Sequence, residues 1–195
     1  MKTLLTILIT TSIFAIQPGQ KAPNFTLKNQ MNQDISLESY LGNYVVLEWY
    51  NFGCPYVRKH YDSKNMQKTQ LKALEKENLT WLSITSSAVG NQGYLKSAKH
   101  AAERLKYERS NAQHMLNDHK GNVGKMYAAK TTPQIVIIDP AGIVQYNGAI
   151  DSIPSADSGD ISKATNYVLS SLKSIYKNGK AKPAKTRPYG CSVKY

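Results

Sequence analysis

Residues 45–61 read VVLEWYNFGCPYVRKHY, and the fold turns on how this stretch divides. Val45, Val46, Leu47, Trp49 and Tyr50 have strand character, interrupted only by Glu48. A near-continuous apolar run of this kind suits a strand covered on both faces. Asn51, Phe52 and Gly53 break the run and lead into Cys54-Pro55. The residues after Pro55 (Tyr56, Val57, Arg58, Lys59, His60, Tyr61) contain no breaker, which predicts a helix. Proline at the first helical position sacrifices no hydrogen bond, because that N–H has no intrahelical partner. Cys54 is thereby expected where a buried strand gives way to a helix N-terminus. The partial positive charge and free N–H groups of such a terminus favour a thiolate over a thiol. The commoner role for a cysteine after an apolar run is a small core hydrophobe. Exposure and local charge decide between the two.

Working outward, residues 79–85 (LTWLSIT) and 134–138 (QIVII) read as further buried strands. Asp139-Pro140-Ala141-Gly142 makes a turn, and residues 143–146 return as a hairpin partner. Short strands are expected around Phe25 and Leu27, around Ile35 and Leu37, and at residues 114–116. Helical spacing of Met66, Leu71 and Leu74 predicts a helix ending near residue 77. Further helices are predicted at residues 94–107, over one or two turns at 123–129, and at 161–176. Strands alternating with helices, then a hairpin and a closing helix, imply an α/β fold with a central mixed β-sheet flanked by helices on both faces.

The chain of 195 residues is long enough for one domain with a proper core. Its formal net charge is +12. No helix-turn-helix, zinc-finger or aromatic RNA-binding signature accompanies that charge, so a solvated basic face is expected and nucleic-acid binding is not. The field still attracts anionic partners or envelope surfaces. Met1-Lys2 followed by the apolar residues 4–14 resembles a signal peptide, with Ala15 as the cleavage point. The run is too short to serve as a stable membrane anchor. The expectation is an exported protein, periplasmic or secreted: a signal peptide at 1–15, one domain at 16–179, and an extended basic tail at 180–195. The chain has two cysteines, Cys54 and Cys191, which suits either a structural disulfide or a working redox couple. His60, His100, His114 and His119 lack ligand spacing, so neither a metal nor another cofactor is expected.

From about Gly19 to Ile150 the chain resembles the thioredoxin-fold redoxins, in particular the peroxiredoxin-like group of alkyl hydroperoxide reductase and thiol-specific antioxidant relatives. Gly19, Ala22-Pro23, Phe25 and Leu27 resemble the opening segment of those proteins, with Leu37 and Gly42 before the first core strand. Cys54-Pro55 stands at the reactive-cysteine position, and Thr132-Pro133 before QIVIIDPAG resembles the cis-proline segment that lies against the reactive sulfur. The ending RPYGCSVKY resembles the tail of a subset of periplasmic redoxin-like proteins. The departures are equally specific. Val57 stands where a C-x-x-C motif would have its second cysteine, and Leu47 and Asn51 stand where peroxiredoxins have proline and threonine.

The resemblance implies a thiol-dependent oxidoreductase, first of all a peroxidase. Cys54 would attack a hydroperoxide and become a sulfenic acid. Arg58, one helical turn on, would stabilise the thiolate. Asn51 would donate its amide to the peroxide, and Pro55, Thr132 and Pro133 would line the site. Glu48, six residues before Cys54, matches the buried acid that transfers protons in thioredoxins. Cys191 is the resolving candidate within the chain, and an external thiol reductant would close the cycle. Two other readings stand beside this one: a single-cysteine thiol–disulfide exchange protein, and a catalytically silent binding module whose cleft holds peptide.

Overall fold

The computed structural model describes residues 16–76 and 78–195. The expected signal peptide, residues 1–15, lies outside the described residues. The chain runs through β1 (Thr26–Lys28), β2 (Asp34–Ser36), β3 (Tyr44–Trp49), α1 (Pro55–Asp62), α2 (Asn65–Leu74), β4 (Leu79–Thr85) and α3 (Ala98–Glu108). It continues with β5 (His114–Asn117), α4 (Asn122–Met126), β6 (Thr131–Thr132), β7 (Gln134–Ile138), β8 (Val144–Gly148), α5 (Tyr167–Asn178) and β9 (Cys191–Ser192).

Seven strands form one mixed sheet in the order β2-β1-β5-β4-β3-β7-β8. The centre is parallel, β3 with β4 and β4 with β5, while β7 runs antiparallel to both β3 and β8. Alternation along the strands sends side chains to two cores, one on each face. Val46, Tyr50, Trp81, Ile135, Ile137 and Tyr146 pack on one face against residues of α1, α2, α3 and α5. Val45, Leu47, Trp49, Leu82, Ile84, Val136 and Ile138 pack on the other against Val123, Tyr127 and the opening segment around Phe25 and Leu37. The helices are thus unequally shared, with only the short α4 on the second face. Among the described residues, no helix is long and apolar enough to cross a membrane.

Caps explain where the helices depart from the sequence expectation. The helix expected from residue 94 begins at Ala98, because the Ser97 side chain accepts the His100 N–H at 3.1 Å. Residues 161–176 do not form one helix. A 3-10 segment covers Ser158–Lys163, and α5 starts only after Asn166, whose side chain accepts the Leu169 N–H at 3.0 Å. Leu71, expected on the inner stripe of α2, is exposed, and Thr69 and Gln70 are buried instead. The tail after α5 carries one short strand, β9. Its residues Cys191 and Ser192 also pair antiparallel with Thr132 and Thr131 to form a second, two-stranded sheet, β6-β9.

Candidate active site

Cys54 is the residue that caps α1, with Pro55 in the first turn and its own carbonyl accepting the Val57 and Arg58 N–H groups at 3.0 and 2.9 Å. Its side chain is fully buried. The Sγ donates to the Thr132 carbonyl at 3.1 Å, and the Thr132-Pro133 peptide is cis. On the other strand of the small sheet, Cys191 is the register partner of Thr132. Cys191 packs against the buried cluster that contains Cys54, and both cysteines are free.

Burial by itself would raise the Cys54 thiol. Hydrogen bonds from the Cys191 thiol, Thr132 and the Val57 and Cys191 amides outweigh it and bring Cys54 below its ordinary value. The Thr132 hydroxyl is buried and has no well-oriented partner while Cys54 is a thiol, which leaves it available to a thiolate. Cys191 moves the other way. Burial and the neighbouring Cys54 raise it to about 11.

The tail is seated by contacts the sequence reading did not identify. Gly190 has a φ of +130°, and a Cβ there would stand 2.1 Å from the Thr132 carbonyl oxygen, so a side chain would push the tail off the cis-proline loop. The Tyr189 hydroxyl donates to Asp151, and its ring meets Tyr56 edge-on at 5.8 Å. Asp151 is buried beside Lys59, whose ammonium lies 3.5 Å from the carboxylate and donates to the Ile153 carbonyl at 3.2 Å. His60, lowered to about 4 by burial, is neutral beside this pair. Beyond Cys191, Val193 donates to the Lys130 carbonyl, Lys194 accepts from Ala88, and the Tyr195 hydroxyl donates to the Ala129 carbonyl at 2.7 Å. A lysine and a histidine interleaved with the buried Val57 and Tyr61 of α1 were the available signal for a charged partner across the interface.

Two expected roles change. The Arg58 guanidinium does not turn to the sulfur: it makes a two-pronged contact with Glu108, its Nη2 at 2.7 Å, and also pairs with Asp62. Glu108 is buried, and Arg58, Arg104 and the Tyr50 hydroxyl converge on its carboxylate. Arg58 is therefore engaged in holding α1 against the end of α3. Asn51 does not offer its amide to a substrate either. Its Nδ2 donates to the Gln92 backbone at 3.2 Å and side chain at 3.3 Å, while its Oδ1 accepts the Gly53 N–H at 2.9 Å. It braces the loop before Cys54.

Glu48 is fully buried on the same sheet face as the Cys54 cluster. It accepts from Trp81 Nε1 at 2.8 Å, Tyr61 at 2.9 Å, Ser83 at 3.1 Å and Gln70 at 3.4 Å. Burial nevertheless dominates these bonds and raises its carboxyl to about 7. Among the described residues, no group of three or more His, Cys, Asp or Glu side chains is gathered so as to hold a metal ion.

Solved structures with the same overall shape include an uncharacterized conserved protein from Geobacillus kaustophilus, with a TM-score of 0.72 at 20% identity over 92% of this chain and 93% of that one. A hypothetical protein from Sinorhizobium meliloti 1021 gives a TM-score of 0.71 at 18% identity over 93% and 96% of the two chains. The thioredoxin domain of a thiol-disulfide oxidoreductase from Bacteroides vulgatus gives 0.54 at 18% identity, over 76% of this chain and 98% of that domain. At these identities the likeness is one of fold. No curated protein matches the sequence. The sequence model of the AhpC/TSA family matches residues 18–147, most of the chain including β3, Cys54 and the Thr132-Pro133 loop, and this thioredoxin-fold protein belongs to that family.

Proposed function

We propose that this thioredoxin-fold member of the AhpC/TSA family is a thiol–disulfide oxidoreductase whose redox pair is Cys54 and Cys191. The observation that carries this reading is the meeting of the two cysteines at Thr132, whose carbonyl accepts from the Cys54 sulfur at 3.1 Å and whose partner across the β6-β9 ladder is Cys191. A C-x-x-C motif would place its second sulfur at position 57. Here the tail delivers it from the outside. Oxidation joins the two sulfurs and passes two electrons and two protons to a partner disulfide, which becomes a dithiol. Glu48, titrating near neutrality, suits the exchange of protons with this buried centre. The apolar stretch at residues 4–14 supports export to a compartment where such exchange operates.

A second reading keeps the same pair and changes the oxidant. Family membership and the unpartnered Thr132 hydroxyl beside the sulfur favour a hydroperoxide. Cys54 would then take one peroxide oxygen as sulfenic acid, releasing an alcohol or water. Cys191 would displace that oxygen as water and form the disulfide. The engagement of Asn51 and Arg58 elsewhere weighs against it.

The test is oxidation of the purified protein by oxidised glutathione and, separately, by hydrogen peroxide at equal concentration. The products are mapped by mass spectrometry after alkylation. The expected product is a Cys54–Cys191 disulfide that is lost in both Cys54→Ser and Cys191→Ser. Faster formation with glutathione disulfide supports exchange, and faster formation with peroxide supports the second reading. A protein that forms no such disulfide with either oxidant refutes the pair.

A further inference from the structure

We propose that the groove between α2 and α5 docks this protein onto an anionic phospholipid bilayer. Neither cysteine nor Thr132 lines the groove, so the contact is separate from the sulfur centre and does not depend on the pair proposed above.

The groove holds about 400 Å³ and is lined by four lysines, Lys72 and Lys76 from the α2 side and Lys173 and Lys177 from α5. Its floor is apolar, formed by Ala73, Leu169 and Leu172. Lys68 stands one turn before Lys72 on α2, and Lys180 follows the Gly179 cap of α5, so the basic surface continues beyond the groove on both helices. All six lysines are exposed, and among the described residues none of them is in an ion pair. Acids are scarce nearby in the chain: residues 164–182 contain no Asp or Glu, and residues 63–76 contain only Glu75. Like charges one turn apart on a helix repel. Unpaired ammonium groups gathered on two neighbouring helices therefore cost the fold stability, and an anionic partner relieves them.

The shape of the patch selects the partner. The lysines are spread over about two turns of each helix, roughly 10 Å, which exceeds the span of one phosphate or carboxylate and suits a surface that offers many. Apolar side chains stand among them. Leu71 and Tyr176 are exposed, and the Lys76 ammonium lies over the Tyr176 ring, 5.6 Å from its centre. Lysine stems cover apolar surface while their charged ends reach outward to headgroups. Tyrosine suits the same boundary, with an apolar ring and a wet hydroxyl. A nucleic acid would match the charge and leave the leucines without a partner.

The full chain is mixed with vesicles of one part phosphatidylglycerol to two parts phosphatidylcholine, and separately with vesicles of phosphatidylcholine alone. Bound protein is measured by sedimentation. Binding to the anionic vesicles is expected to be about tenfold or more tighter, and to weaken as salt is raised. Equal binding to both, as the apolar residues 4–14 alone would give, overturns the proposal, and so does no binding to either. The combined variant Lys72→Gln, Lys76→Gln, Lys173→Gln and Lys177→Gln is expected to bind the anionic vesicles about a hundredfold more weakly or worse, at about fivefold per lysine. A control variant carries Lys21→Gln, Lys96→Gln, Lys99→Gln and Lys120→Gln, exposed positions outside the groove with the same loss of charge. It is expected to keep its binding within about fivefold. An equal loss in the two variants means that net charge acts without the groove, and overturns the proposal. Inorganic phosphate that frees the protein from vesicles where chloride of equal ionic strength does not assigns the groove to a single anion, and overturns it as well.

Discussion

Replacing Glu48 by glutamine tests a carboxyl strongly raised by burial. Its raised value, about 7 against an ordinary 4.5, means that the folded state binds this proton more tightly than the unfolded chain does. The stabilisation is therefore complete below about pH 4.5, declines between there and about pH 7, and is gone above, because the unfolded chain ionises first. At about 1.4 kcal/mol per tenfold change in proton affinity, the total is about 3 kcal/mol. Glutamine keeps the shape and an accepting oxygen for Trp81, while Tyr61 and Ser83 hydroxyls can turn to accept from its amide. Urea unfolding of both proteins, with the cysteines reduced, is followed from about pH 4 to about pH 8. The wild type is expected to lose about 3 kcal/mol relative to Glu48→Gln across that range, nearly all of it before pH 7. Parallel curves would refute the reasoning, since they would mean that burial does not hold the proton on Glu48.

Two further substitutions probe the tail and the arginine. Tyr189→Phe removes a hydrogen bond to the buried Asp151 carboxylate, a class of bond worth about 1.5–3 kcal/mol. Alkylation of Cys191 by iodoacetamide is then expected to quicken by about ten- to a hundredfold if the tail opens to react, and an unchanged rate would mean that Tyr189 does not hold it down. Arg58→Ala leaves buried Glu108 with Arg104 and Tyr50 alone, and is expected to cost about 2 kcal/mol of stability by urea unfolding. In a Cys191→Ser background, thiolate absorbance should show the Cys54 titration moving by less than about half a pH unit on that change. A shift of about a full unit would return Arg58 to the sulfur.

The strands were legible because their apolar runs are long and their turns are marked by Gly and Pro, as in QIVII followed by DPAG. The position of Cys54 at a helix start was legible for a related reason, since Pro55 announces the first turn. Side-chain partners fared worse. Arg58 lies one turn from Cys54, but it is also four residues before Asp62, and its main partner, Glu108, comes from α3, fifty residues along. Asn51 looked like a free amide because nothing local marks Gln92 as its partner. Nothing local marks Lys59 and His60 of α1 as buried, whereas Asp151, after β8, draws the ammonium inside. Local spacing carries the backbone. The charges that lock the backbone together pair across distances that spacing does not encode.

In the pair proposed above, the tail adds a second sulfur to a one-cysteine helix cap, and its anchors would then influence the redox balance. Cys191 stays beside Cys54 in the reduced state because Gly190 admits close approach to the Thr132 carbonyl, the β6-β9 ladder sets the register, and Tyr189 is tied to Asp151. Holding two thiols together raises their effective concentration for one another, and this favours the disulfide over two separate thiols. Weakening an anchor lowers that concentration and makes the pair easier to reduce. The disulfide in turn closes a loop of roughly 140 residues, restricting the unfolded chain by up to about 5 kcal/mol in the chain-entropy picture. Anchoring and oxidation thus reinforce one another. In that proposed couple, the ion pair of Lys59 with Asp151 would act through the position of Tyr189.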